Sequence, residues 1–197
     1  STAVKSITHY DYAPTGWGEL TSSTTRRDNG RIKSLTLYAG EESEEKAKLT
    51  LNYNYAEVLK TSTVVLYLND ILRSSTTYKG EVTINQANGL SAITALRKSY
   101  SLYRGDENEE DVLVTTNYRV DGTASSRTVF TYDGDTLTRS TTDKLKVVDG
   151  VLTKRLSSVS VYTGFENEEK VQDTTNYRVS TAVKSITHYD YAPTGWG

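Results

Sequence analysis

Residues 1–18 and residues 180–197 carry the same words, STAVKSITHYDYAPTGWG. An identity of that length is a repeat, and its period is 179 residues. His9 and His188 are therefore one position seen twice, as are Trp17 and Trp196, and Pro14 and Pro193. Two copies of one segment cannot occupy one place in a closed domain, so at least one copy sits where a neighbouring unit belongs. The chain reads as a window on a tandem array, as a protomer whose end replaces the next protomer's beginning, or as an engineered duplication. The first two readings lead to an open, head-to-tail assembly.

Inside the period the sequence repeats again. SLTLYAGEESEEKAKLTLNYNY from Ser34, SYSLYRGDENEEDVLVTTNYRV from Ser99 and SVSVYTGFENEEKVQDTTNYRV from Ser158 align without a gap. Tyr38, Tyr103 and Tyr162 open three units, Tyr53, Tyr118 and Tyr177 follow, and Tyr67, Tyr132 and Tyr191 complete each set. A block of the form L-x-x-S/T-T-T comes next, at Leu72–Thr77, Leu137–Thr142 and, from the preceding unit, Leu20–Thr25. The organisation expected is the end of a preceding unit over 1–33, unit 1 over 34–98, unit 2 over 99–157 and the start of unit 3 over 158–197. Repeats of this size are stacked supersecondary units, each too small to bury its own face.

Alternating β-branched and aromatic residues mark strands, as in SLTLY at 34–38, TSTVVLYL at 61–68 and SRTVFTY at 126–132. Asn29-Gly30, Asn69-Asp70, Lys79-Gly80, Asn88-Gly89, Asp121-Gly122, Asp133-Gly134 and Asp149-Gly150 punctuate them. Asn-Gly and Asp-Gly suit type I′ turns, whose two central residues both need positive φ, so tight antiparallel hairpins are expected. The irregular turn spacing favours this meander over a parallel solenoid, which needs a fixed coil length. The fold class expected is all-β: tandem antiparallel hairpins in one continuous sheet, curled into a spiral or tube to hide its apolar face.

Composition narrows the function classes. Hydrophobic residues make up 36% of the chain, below the roughly 45–50% of an ordinary globular domain, so each unit is expected to complete its burial against neighbours. Cysteine is absent, which removes disulfides, thiol catalysis and thiolate-bound metals. A net charge of −2, with both signs interspersed, offers no footprint for nucleic acid. No apolar run is long enough for a membrane helix, so no transmembrane segment is expected. No G-x-S-x-G elbow, P-loop or G-x-G-x-x-G occurs, and an enzyme is not expected.

Two residue sets recur with the units. Tyrosines at 38, 53, 67, 103, 118, 132, 162, 177 and 191 are expected to pack as structural ladders with their hydroxyls at the rim, although aromatic strips also bind carbohydrate. The loops Gly40–Glu45, Gly105–Glu110 and Gly164–Glu169 repeat an acidic pattern through Glu42, Glu44 and Glu45, Glu107, Glu109 and Glu110, and Glu166, Glu168 and Glu169. Such loops discourage wrong edge pairing. Their carboxylates are also candidate oxygen ligands for Ca²⁺, though the spacing is not that of an EF-hand.

Thr131-Tyr132-Asp133-Gly134-Asp135-Thr136-Leu137-Thr138, and the stretch from His9-Tyr10-Asp11 to Glu19-Leu20-Thr21, resemble the tyrosine-aspartate (YD, Rhs-type) repeat, which runs roughly Y-D-x-x-G-R-L-T. Both segments lack its Gly-Arg pair, and the acidic loop lies outside it. The resemblance implies an extracellular or cell-surface protein in which antiparallel hairpins wind into a spiral sheet. The function expected is a structural tandem-repeat filament or tube, partnered by adjacent repeats or protomers of itself. An adhesin or carbohydrate-binding stalk, and a secretion shell of the Rhs type, are the alternatives.

Overall fold

The computed structural model describes residues 5–14, 18–85, 89–92, 96–179 and 181–191. Trp17, Trp196, Pro193 and Asn88 lie outside them. The strands are β1 (Ser6–Tyr12), β2 (Leu20–Arg27), β3 (Ile32–Ala39), β4 (Lys46–Tyr53), β5 (Leu59–Leu68), β6 (Ile71–Lys79), β7 (Thr83–Asn85) and β8 (Gly89–Ala92). They continue as β9 (Leu96–Arg104), β10 (Asp111–Tyr118), β11 (Ala124–Asp133), β12 (Thr136–Val148), β13 (Val151–Thr163), β14 (Lys170–Tyr177) and β15 (Val183–His188). No helix occurs among the described residues. Thirteen strands follow one another in chain order in one antiparallel sheet, while β7 and β8 pair with each other apart from it. β1 and β15 each have one neighbour in that order, so the sheet is not closed into a barrel.

The chain divides into two compact bodies, Ser1–Tyr100 and Ser101–Gly197. Each body shows the same pairing. In the first, β5 lies between β4, with Thr50 opposite Thr63, and β6, with Thr63 opposite Thr77. In the second, β11 lies between β10, with Thr115 opposite Thr128, and β12, with Thr128 opposite Thr142. These threonines hold corresponding places in the sequence repeats, so the repeated words fold into repeated rungs. Their hydroxyls bond across the strands, Thr63 to Thr77 and Thr128 to Thr142 both at 2.9 Å. Thr36 and Thr50, Ser101 and Thr115, and Ser160 and Thr174 do the same on neighbouring rungs. Cross-strand hydroxyl pairs of this type are each worth a few tenths of a kcal/mol up to about 1 kcal/mol.

The turns divide by local chemistry. Asn69-Asp70 and Asp149-Gly150 have both central residues at positive φ and close two-residue hairpins, as their sequence requires. Asn29-Gly30 and Asp121-Gly122 do not. There only the glycine is left-handed, and bonds from Gly30 N–H to Arg27 O and from Arg27 N–H to Arg31 O make a three-residue turn ending in a glycine bulge. Arg119 to Thr123 and Asn54 to Val58 repeat this closure, the latter with Glu57 in the left-handed place. Asp133-Gly134 is displaced by one residue: Asp133 pairs with Thr136, so Gly134-Asp135 is the loop. Lys79-Gly80 makes no hairpin, because β6 is followed in the sheet by β9.

Little of either body is fully buried. In the first, Leu49, Val64, Tyr78 and Val82 form a cluster with Leu51 packed against it. In the second, Val114, Leu145 and Val159 are the buried apolar side chains among the described residues. A sheet with so thin a core depends on its ladder hydrogen bonds and on stitches between strands.

Candidate functional site

The tyrosine ladder marks breaks in the pleat. Tyr12, Tyr38, Tyr53, Tyr67, Tyr118, Tyr132, Tyr162 and Tyr177 each stand at the first rung past a register shift. At Tyr132, for example, Thr131 faces Arg139 but Tyr132 faces Leu137, which leaves Thr138 as the extra residue of a β-bulge. The extra residue's hydroxyl is put to use: Thr138 donates to Thr131 O, Thr21 to Asp11 O and Ser125 to Asn117 O, each at 3.0 Å. A bulge leaves backbone groups without ladder partners, and these hydroxyls satisfy the carbonyl side. Tyr103 lies within β9, and Tyr191 lies just beyond β15.

Four of the tyrosine hydroxyls bond to neighbouring strands. Tyr38 meets Ser23 Oγ at 3.0 Å and Tyr162 meets Ser140 Oγ at 3.1 Å. Tyr132 and Tyr191 donate to the carbonyls of Val112 and Val171, both at 2.8 Å. Burial and the nearby Asp111 carboxylate push the Tyr132 phenol up to about 12.

Cations cover the faces of the third tyrosine in each set. Lys48 lies 4.7 Å from the centroid of Tyr67, Arg104 lies 4.3 Å from that of Tyr132, and Lys170 lies 5.3 Å from that of Tyr191. The source of the charge changes with the repeat. Where Lys46 and Lys170 open their strands, the place before the acidic loop is Ala39 or Thr163; where Asp111 opens β10, that place is Arg104. Arg104 pairs with Asp111 at 3.3 Å and Asp135 at 3.6 Å, and it also donates to Gly134 O. Lys46 makes the corresponding contact with the next turn, donating to Asp70 O at 2.7 Å. These cations were not among the residues singled out from the sequence, since each is an ordinary surface charge until the turn it reaches is known.

The acidic loops are built by their backbone. Ser43, Asn108 and Asn167 have positive φ, between a glutamate on each side, and asparagine tolerates that region. Each loop glycine is also demanded by space: a Cβ on Gly40 would lie 2.7 Å from Glu44 O, and one on Gly164 would lie 2.8 Å from Glu168 O. The final glutamate reaches back over the sheet. Leu20 N–H donates to Glu45 Oε1 at 2.7 Å, and Leu137 N–H donates to Glu169 Oε1 at 2.9 Å. Both leucines face the tyrosine at a bulge, so the carboxylate satisfies a backbone donor beside the break in the ladder. The Leu20 bond holds the Glu45 carboxyl below the ordinary glutamate range.

Glu42 and Glu44 stand in the acidic loop of the first body, and Glu107, Glu109, Glu110, Glu166 and Glu168 in the two acidic loops of the second. In the second body Glu109, Glu110, Asp135, Glu166 and Glu169 line one groove. Even so, among the described residues no three His, Asp or Glu side chains are grouped as a metal ion requires. The opposite ends of the strands are stitched by arginine and asparagine. Arg27 donates to Tyr53 O at 2.7 Å and Arg119 to Leu145 O at 2.6 Å, each reaching the second strand along. Asn52, Asn117 and Asn176, the partners of tyrosine in the N-Y pair, donate to Thr61, Ser126 and Ser185.

Both strands of the duplicated segment are exposed. Every residue of β1 and of β15 is exposed, including Ile7 at 64% and Ile186 at 65%. Among the described residues β1 pairs only with the strand that follows it and β15 only with the strand that precedes it. Its histidine consequently has two environments. His9 approaches Asp11 at 3.3 Å, whereas His188 approaches Asp190 at 3.3 Å and also bonds Asp173 Oδ1 of β14 at 2.7 Å. The Asp173 bond raises the His188 imidazole above its ordinary value.

No protein-family model matches the chain, and no curated protein matches it. None of the described residues forms a helix long and apolar enough to cross a membrane.

Proposed function

We propose that the chain is a structural tandem-repeat protein that extends its antiparallel sheet head to tail into an extracellular filament or tube. The observation that carries this reading is the equivalence of rungs: β4–β5–β6 and β10–β11–β12 share one register, one bulge position and one set of hydroxyl bonds. A module that repeats its own edges can be continued without a new kind of contact. The exposed edges at β1 and β15 are the places for continuation, since an open edge carrying exposed Ile and Tyr is a template for another strand. The extracellular setting rests on the resemblance to tyrosine-aspartate repeats. Electron microscopy of the chain at rising concentration tests the reading, with elongating particles expected and uniform single particles at every concentration contradicting it.

The tyrosine geometry favours architecture over a carbohydrate-binding stalk. The third tyrosines offer a face to Lys48, Arg104 or Lys170 in place of a sugar ring. Glycan-array binding that Tyr103→Ala abolishes while the fold persists is the result that would favour the stalk.

A further inference from the structure

We propose that the joint between copies forms by strand replacement: β1 of one copy takes the place of β15 on β14 of another, in the register β15 now holds. This deepens the head-to-tail reading and rests on it. The two strands have one sequence, so the rungs transfer directly. Asp173, Thr174, Thr175 and Asn176, now opposite His188, Thr187, Ile186 and Ser185, come to face His9, Thr8, Ile7 and Ser6 of the second copy.

The template for the joint exists twice inside the chain. β11 holds β10 on one edge and β12 on the other; β15 has the first kind of neighbour and β1 the second. Thr174 opposite Thr187 repeats Thr115 opposite Thr128, and Thr8 opposite Thr25 repeats Thr128 opposite Thr142. Even the hydroxyl bond recurs, at 3.0 Å between Thr8 and Thr25. Placing β1 between β14 and β2 therefore reproduces the strand order and the threonine rungs of the interior β10–β11–β12 arrangement.

One rung of the joint is written differently from its templates. The interior rungs pair Leu49 with Val64 and Val114 with Val129, and Leu49, Val64 and Val114 are buried. The corresponding rung of the duplicated segment pairs Asp173 with histidine. A histidine–carboxylate pair at a rung that is apolar in the interior marks its register, because sliding the segment onto β4 or β10 would set histidine against buried Leu49 or Val114. The joint is thus selective for β14, and the second copy's His9 takes over the bond that His188 makes.

The test uses single cysteines, which the native chain lacks. Tyr189 N–H donates to Gln172 O, so by alternation Thr175 and Ile186 form a rung without ladder bonds, where Cβ atoms lie closest. Thr175→Cys protein is mixed with Ile7→Cys protein and oxidised. A Thr187→Pro change in the first weakens its own β15 by removing a ladder donor, and circular dichroism confirms that each variant folds. The joint predicts a disulfide-linked heterodimer that Thr187→Pro increases and that Thr8→Pro in the second protein reduces on the order of tenfold. A heterodimer yield that neither proline alters, or none above that of a Thr8→Cys control on the other face, overturns the proposal. A double Thr175→Cys, Ile186→Cys chain, which closes its own disulfide, shows that the rung is oxidisable. Cross-links without elongated particles refute the filament and keep the joint; elongated particles without cross-links do the reverse.

Discussion

Tyr132 concentrates the chemistry of one rung: its hydroxyl reaches Val112 O, its ring lies under Arg104, and its backbone marks a bulge. Tyr132→Phe should cost about 1 kcal/mol in chemical denaturation, the usual net worth of such a hydrogen bond. In a spectrophotometric titration its phenol should be among the last to ionise, near 12. The carboxylates at the bulges act at the other end of the pH scale. Because the Glu45 carboxyl is held below its ordinary value in the fold, its contribution is complete above that value and is lost as pH falls through the lowered one. Glu45→Gln should therefore flatten the acid limb of the stability profile. His188 has the opposite sign. Its value is raised, so its pairing with Asp173 contributes fully below about pH 6.5 and is lost as pH rises through the raised value. In proton NMR His188 should titrate above the ordinary imidazole value, and Asp173→Asn should bring it down.

At the scale of elements, turns and bulges decide where a strand may change faces. The loop glycines give a sharp comparison. Gly122 has open space around a would-be Cβ, so Gly122→Ala pays only for its left-handed backbone, about 1 kcal/mol. Gly105→Ala meets the same penalty and also drives Cβ into Glu109 O, so its denaturation midpoint should fall further than that of Gly122→Ala. Strands and hairpins were legible in the sequence because alternation and turn residues act locally. The register shifts were not, because a bulge keeps every residue extended and alters only which partner it faces. For the same reason the tyrosines could be recognised as a ladder but not as the residues beside each break. Glu45 and Glu169 belonged to a visible acidic pattern, yet their partners Leu20 and Leu137 lie 25 and 32 residues away and follow only from the strand order. Asn29-Gly30 was legible as a turn, but its three-residue closure depends on the bond from Arg27 N–H to Arg31 O.

For the molecule as a whole, the duplication is the organising fact. One segment is written twice, its strand is exposed in both copies, and that strand pairs with a following strand in one copy and a preceding strand in the other. The described residues hold little core, and Glu45, Glu169, Arg27, Arg119 and Lys46 stitch across to later or earlier hairpins. That arrangement suits a sheet whose stability grows with each added neighbour. Electron microscopy combined with fibre diffraction decides whether the sheet continues from copy to copy. Elongated particles with an inter-strand repeat of about 4.7–4.8 Å, continuous across the joints, are expected. Uniform single particles that keep both copies of the duplicated segment within one chain, at every concentration examined, would contradict that continuity.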